Sequence, residues 1–217
     1  MPTTASPPKP RKTPVQARST QTVEVILQAC VQVLLDGGIE RLTTTRVAQR
    51  AGTSVGSVYQ YFPNKQSLLA AALERHLIHV VVAVETACTS AKGQTAAAMA
   101  RALVNAFVTA KFADPAASRA LYAVAAEVGG ASVVAQLTQR SQLALCDMLA
   151  TASDRSYDDL AALGFVLSTS VVGPVQGLLA SKASAKTVQS IQSQLTLMIS
   201  AYLRSAGAAR RSAIKRA

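Results

Sequence analysis

The chain has 217 residues, of which half are hydrophobic, and 22 basic against 11 acidic side chains give it a formal net charge of +11. That length fits one or two modest domains with a real core, and an alanine-rich composition with only 4% aromatics and no Trp favours closely packed helices over sheets. The basic excess suits a polyanionic partner, nucleic acid before a membrane surface, and the three cysteines, Cys30, Cys88 and Cys146, are too far apart for metal spacing and fit a reducing cytoplasm.

The charge is uneven. Up to Arg75 there are nine Lys/Arg and four Asp/Glu, whereas the stretch from Lys92 to Lys186, together with Glu85, holds eight basic and seven acidic residues. From Arg204 onward there are five basic residues and no acidic one. Residues 1–18 place Pro2, Pro7, Pro8, Pro10 and Pro14 among Lys9, Arg11, Lys12 and Arg18, so a disordered basic arm is expected there. A basic tail is expected at 206–217. For both, phosphate neutralisation and plain solubility remain open. No signal-like apolar core and no membrane-spanning apolar run are read, so a soluble, cytoplasmic protein without a membrane partner is expected.

A first helix is predicted from Thr20 to Asp36. Val23, Ile26, Leu27, Cys30, Val31 and Leu34 make its apolar stripe, and Gly37-Gly38 stops it. Two short helices with a tight turn follow between Thr43 and Lys65. Thr43 caps the first, whose apolar stripe is Val47, Ala48 and Ala51. Gly52 sits where a left-handed residue is favoured, and Ser54 caps the second. In that second helix Val55, Val58 and Phe62 share one face, and Pro63 ends it. Its other face is small and hydrogen-bonding, as the major groove of DNA demands of a reading helix. Gly56 and Ser57 allow close approach to base edges, and Gln60 is placed to pair with one. Tyr59, Tyr61 and Lys65 are placed to bond phosphate oxygens, which sets register without reading sequence.

The run A-G-T-S-V-G-S-V-Y-Q-Y-F-P-N-K, with L-T-T-T-R-V-A before it, resembles the TetR-family pattern A-G-V-S-x-G-x-L-Y-x-Y-F-x-x-K. The resemblance is densest from Leu42 to Leu69 and looser back to Thr20. Thr53 replaces the usual valine and Val58 the usual leucine. Val55 stands where many members carry a polar or basic residue, which points to an apolar contact there, such as a thymine methyl. The resemblance implies a homodimeric transcriptional regulator that binds operator DNA and senses a small molecule with its C-terminal domain. The residues expected at DNA are Thr43, Thr44, Thr45, Arg46, Ser54, Val55, Gly56, Ser57, Tyr59, Gln60, Tyr61 and Lys65.

A longer helix is predicted from Lys65 towards Thr89, a lever joining the DNA-reading unit to the next domain. Its His76 and His79 lie three apart with no further ligand at metal spacing, so packing or solvation is expected of them. Further helices are predicted over 94–113, 115–128, 132–151, 157–180 and 185–205, with Gly173-Pro174 kinking or breaking the fourth of these. Asp158-Asp159 is read as the acidic start of that helix rather than a catalytic pair. No strand is predicted.

The expected fold is therefore all-α, about nine helices. A disordered arm (1–18) precedes a three-helix helix-turn-helix DNA-binding domain (19–65), a helical sensing and dimerisation domain (66–205) and a basic tail (206–217). The last two long helices carry broad apolar faces, fitting either burial within one subunit or a four-helix interface with a second copy. Met99, Leu103, Phe107, Phe112, Tyr122, Met148 and Phe165 are candidates to line a pocket for an apolar effector, although for each taken singly core packing is the better explanation. Arg101 and Asn105, four apart in one helix, fit either the orientation of a polar ligand group or a solvated or intersubunit role. No cofactor, metal or catalytic set is read. The competing readings are a non-specific architectural DNA-binding protein and an activator of the same fold; an enzyme has no residue set behind it.

Overall fold

The computed structural model describes residues 17–210, and among these it contains nine α-helices and one pair of two-residue strands. The expected basic arm and tail lie outside the described residues except at 17–18 and 206–210. The chain forms two compact units. The first comprises 17–78 and 114–135 of the described residues, the second 79–113 and 136–210. The chain leaves the first unit after Ile78 and re-enters it at Asp114.

In the first unit α1 (Ala17–Arg41) carries Ile26, Leu27, Cys30, Val33 and Leu34 at helical spacing, each at most 7% exposed. Its regular part ends at Gly38, whose φ of 68° and ψ of −177° are open to glycine alone. One further turn leads to the buried Leu42. Then come α2 (Thr44–Arg50), α3 (Val55–Tyr61) and α4 (Lys65–Ser90). The start of α4 is fixed by Asn64, whose Oδ1 accepts from Ser67 N (2.8 Å) while Ser67 Oγ donates back to the Asn64 carbonyl (2.8 Å). The unit also holds α6 (Pro115–Val124), capped by Asp114 with Pro115 in its first turn. His76 of α4 and Ser118 of α6 are joined by a 3.0 Å hydrogen bond, the packing role expected of His76, while His79 is exposed.

The second unit is built on α5 (Ala96–Phe112), α8 (Leu160–Ala180) and α9 (Ala185–Ala206), with the later parts of α4 and of α7 (Ala131–Leu149). Met99, Val104, Leu145, Met148, Leu167, Val171 and Ile199 are at most 2% exposed in one apolar cluster. The loop after α7 is stapled to the head of α5: Asp154 Oδ1 accepts from Ala96 N (2.7 Å) and Thr151 Oγ1 from Gly93 N (2.8 Å). Arg140 and Glu85 form a two-bond ion pair, both contacts 2.6 Å.

Three expectations change. First, α8 starts at Leu160 rather than at 157, because Asp159 caps it by accepting from Ala162 N (2.9 Å), and of the kink or break expected at Gly173-Pro174 the break does not occur, Pro174 lying inside the helix. Second, β1 (Arg155–Ser156) and β2 (Ala208–Ala209) pair antiparallel, a main-chain contact with no side-chain alternation to announce it. Third, Ser19–Arg41, α4 and α8 are long and apolar enough by length and composition to cross a membrane. Glu24 interrupts the first of these stretches and Glu74 and Arg75 the second, whereas α8 carries no charge and is broken up only by Ser, Thr, Gln, Gly and Pro.

Candidate nucleic-acid interface

The turn between α2 and α3 is built by local chemistry. Thr43 Oγ1 accepts from Arg46 N (3.2 Å) to cap α2, and Ser54 Oγ accepts from Ser57 N (3.0 Å) to cap α3. Between them Gly52 takes φ 64°, and Thr53 N closes the turn on the Ala48 carbonyl (3.0 Å). A Cβ at Gly52 would meet nothing within 4 Å, so the glycine is there for its backbone and not for space. Val47 and Ala48 of α2 and Val58 of α3 have no exposure, and Phe62 has 1%. The helix is thus held from behind as its spacing predicts, with Val55 half-buried at the edge.

Gly56, Tyr59 and Gln60 are exposed on the opposite side of α3, with Ser57 and Tyr61 half-buried beside them. Thr43, Thr45 and Arg46 are exposed at the start of α2. Thr44 is buried, and its hydroxyl donates to the Tyr59 hydroxyl (3.1 Å). Tyr61 is likewise joined to Ser19 of α1 (3.1 Å). Both tyrosines expected at phosphates are therefore steered by hydroxyl groups of neighbouring helices. Lys65 Nζ donates to the Ile39 carbonyl (3.3 Å), which places its charge beside the connection between α1 and α2.

Sequence reasoning missed three members of this surface. Ser19 carries no motif signal. Arg41 and Arg50 join Arg46 around an open cavity of about 520 Å³ between the end of α1 and the outer side of α2. The one-turn spacing of Arg46 and Arg50 was visible, but Arg41 reaches them only through the break at Gly38.

The candidate effector residues are dispersed. Met99, Leu103 and Met148 lie in the core of the second unit, with Phe107 and Phe112 half-buried against it. Tyr122 belongs to α6 in the first unit, where burial pushes its hydroxyl up to about 12. Phe165 is 60% exposed on α8. Asn105 is exposed and its Oδ1 accepts from Gln192 of α9 (2.8 Å), and Arg101 is exposed. Lys111, a residue not singled out from sequence, is 2% exposed with its ammonium 5.8 Å from the Phe107 ring centre, and burial pushes it down to about 8. Burial raises the Cys30 and Cys88 thiols to about 12 and 11, which keeps them protonated and unreactive at neutral pH. Among the described residues no group of three His, Cys, Asp or Glu side chains is placed to hold a metal.

Comparison with known proteins agrees with this geometry. Residues 26–72 match the family model of bacterial regulatory proteins of the tetR family, and residues 95–203 that of the tetracyclin repressor-like C-terminal domain. The HTH-type transcriptional regulator YvdT of Bacillus subtilis is 34% identical over 58 residues, 27% of this chain and 30% of that protein. The match thus spans under a third of that relative's length. A solved structure from Mesorhizobium loti superposes with a TM-score of 0.70 at 16% identity, over 89% of this chain and 100% of that one. SmeT, the repressor of the Stenotrophomonas maltophilia multidrug efflux pump SmeDEF, does so with 0.61 at 16% identity, over 88% and 91%. The structural likenesses speak for the fold, and the two family models, one covering half of the chain by itself, speak for more: this chain belongs to the TetR family of DNA-binding transcriptional regulators.

Proposed function

We propose that the protein represses transcription by binding a palindromic operator as a homodimer, and that a small apolar molecule releases it. The observation that carries DNA reading is α3 itself: Val58 and Phe62 are sealed inward while Gly56, Tyr59 and Gln60 face out, at the end of a turn capped on both helices. A seven-residue helix reads too few base pairs alone, so two copies at one helical-turn spacing are needed for a selective site.

The dimer reading is supported by α8 and α9. Their inner residues, Leu163, Leu167, Val171, Val188, Leu195 and Ile199, are buried within the chain. Yet Phe165, Val166, Leu197, Met198 and Tyr202 remain exposed at 38–63%. Gly173 and Gly177 have open space where a Cβ would stand, so another helix can approach α8 closely there. Large apolar side chains left outside on two adjacent helices fit a paired-helix interface with a second copy. The effector site is assigned to the second unit, with Met99, Leu103, Phe107, Phe112 and Met148 as its apolar side. Repression is favoured over activation by the likeness to SmeT, itself a repressor. The protein is assigned to the cytoplasm as a soluble regulator without enzymatic turnover or cofactor.

Selection of random duplexes by the purified protein tests the reading. The expected product is an inverted repeat with half-sites about one helical turn apart. Equal recovery of all duplexes would instead establish the architectural alternative. Release is tested by native mass spectrometry of protein purified from cells, followed by operator binding with and without the extracted molecule. A reporter under the selected operator decides between repression and activation.

A further inference from the structure

The cavity between α1 and α2 brings together Arg41, Arg46, Arg50, Gln49, Asp36 and Gly37. Three guanidinium groups share it with one carboxylate, and that carboxylate, Asp36, is already paired with Arg50. The groups are positioned rather than loose. Arg46 Nη1 donates to the Arg41 carbonyl (3.1 Å), and Arg50 Nη1 donates to Gln32 Oε1 (3.4 Å). The stem of Arg41 lies over Gly37, where a Cβ would come within 2.8 Å of Arg41 Cβ, so glycine there leaves room for the arginine. Arg46 and Arg50 stand one turn apart on the solvent side of α2, opposite the buried Val47 and Ala48.

From this arrangement we infer that the groove is a phosphate site which grips the duplex backbone beyond the base pairs read by α3. The inference rests on the operator-binding reading above. A guanidinium fork matches two phosphate oxygens at once, and among the described residues only Arg50 of the three is ion-paired, which leaves the groove a surplus of two positive charges. The duplex is favoured over a free phosphate compound by continuity. Lys65 reaches the Ile39 carbonyl, Arg41 follows two residues later, and Arg46 belongs both to the groove and to the first turn of α2. A polyanion longer than the α3 contact runs on across this row, whereas a small anion has no need of it.

The test uses the full-length protein and the selected operator in two lengths: ending at the last discriminated base pair, and extended by about five base pairs on each side. Fluorescence anisotropy at several salt concentrations compares wild type, the Arg41→Gln/Arg50→Gln double variant and Asp36→Asn, with thermal melts confirming that each is folded. Wild type is expected to bind the longer duplex more tightly, with a salt slope steeper by about 1–2. The double variant loses both the length gain and the extra slope. Asp36→Asn, which removes the competing carboxylate and keeps all three cations, is expected to enlarge the length gain; a purely structural ion pair would leave it unchanged or reduce it. A length gain equal in wild type and double variant overturns the inference, as does an unchanged or smaller gain in Asp36→Asn. Calorimetry without DNA, using inorganic phosphate and a nucleoside diphosphate as probes, separates the sources of phosphate. Binding of either by wild type but not by the double variant, with the length gain intact, would reassign the groove to a free phosphate compound and overturn the duplex assignment. If selection yields no preferred operator, the operator reading fails, and the same slope comparison on a random duplex still decides the groove.

Discussion

Gln60 is exposed on α3, and its amide can meet a base edge with both donor and acceptor. Gln60→Ala is therefore expected to relax preference at one operator position by about 1–3 kcal/mol, measured by competition among single-base operator variants, while affinity for random duplexes stays near that of wild type. Lys111 raises a different residue-scale question. Its folded value of about 8 lies below the ordinary 10.5, so between those two pH values the unfolded chain binds more protons than the native one. The stability of wild type relative to Lys111→Met should be flat below about pH 8 and should rise with pH towards 10.5, by on the order of 3 kcal/mol. Chemical denaturation of both proteins across that range checks the sign. Burial of Cys30, Cys88 and Tyr122 acts the opposite way in alkali, which is why the difference between the two proteins, and not wild type alone, is the quantity to follow.

At the scale of elements, α3 has only seven residues and its first turn is held by Ser54. Ser54→Ala is expected to cost about 1 kcal/mol of stability and to weaken binding to every DNA sequence, whereas Ser54→Asp, which can cap, should retain most of the stability; denaturant midpoints and anisotropy read both effects. The caps and breaks of this region were legible because Thr43, Gly38, Gly52, Ser54 and Pro63 each have one dominant local reason for being where they are. Asp159 was harder, since an acidic pair suits both a cap and a first turn, and Asp158 offers the same carboxylate one residue earlier, so the sequence does not say which of the two closes the helix. The β1–β2 pair was invisible because alanine backbone pairing leaves no side-chain pattern. Lys111 escaped the sequence reading because a lysine is ordinarily solvated, although it falls on the same inward row as Val104 and Val108.

At the scale of the whole molecule, the apolar residues on α8 and α9 that stay exposed must be covered if two recognition helices are to act together. Phe165→Glu combined with Leu197→Glu is expected to give a folded monomer by sedimentation, because both side chains are exposed and contribute little to the interior. Operator affinity should fall at least about tenfold through the lost second half-site, with the circular dichroism of the helices intact. A double variant that remains dimeric would move the interface elsewhere. The division of function along the chain was legible as far as the helix-turn-helix, which depends on neighbours in sequence. It was not legible for Tyr122, because nothing local signals that residues 114–135 return to the first unit.

The hydroxyl contact between Thr44 and Tyr59 has a consequence for how the protein meets its operator. Thr44 is the donor, so the phenolic proton of Tyr59 remains to be given outward to a phosphate oxygen. The ring is also immobilised before any duplex arrives, and the loss of rotamer freedom, of order 0.5–1.5 kcal/mol for such a side chain, is borne by folding rather than by association. A phenol already held by its neighbour has less freedom left to lose when a phosphate oxygen accepts from it.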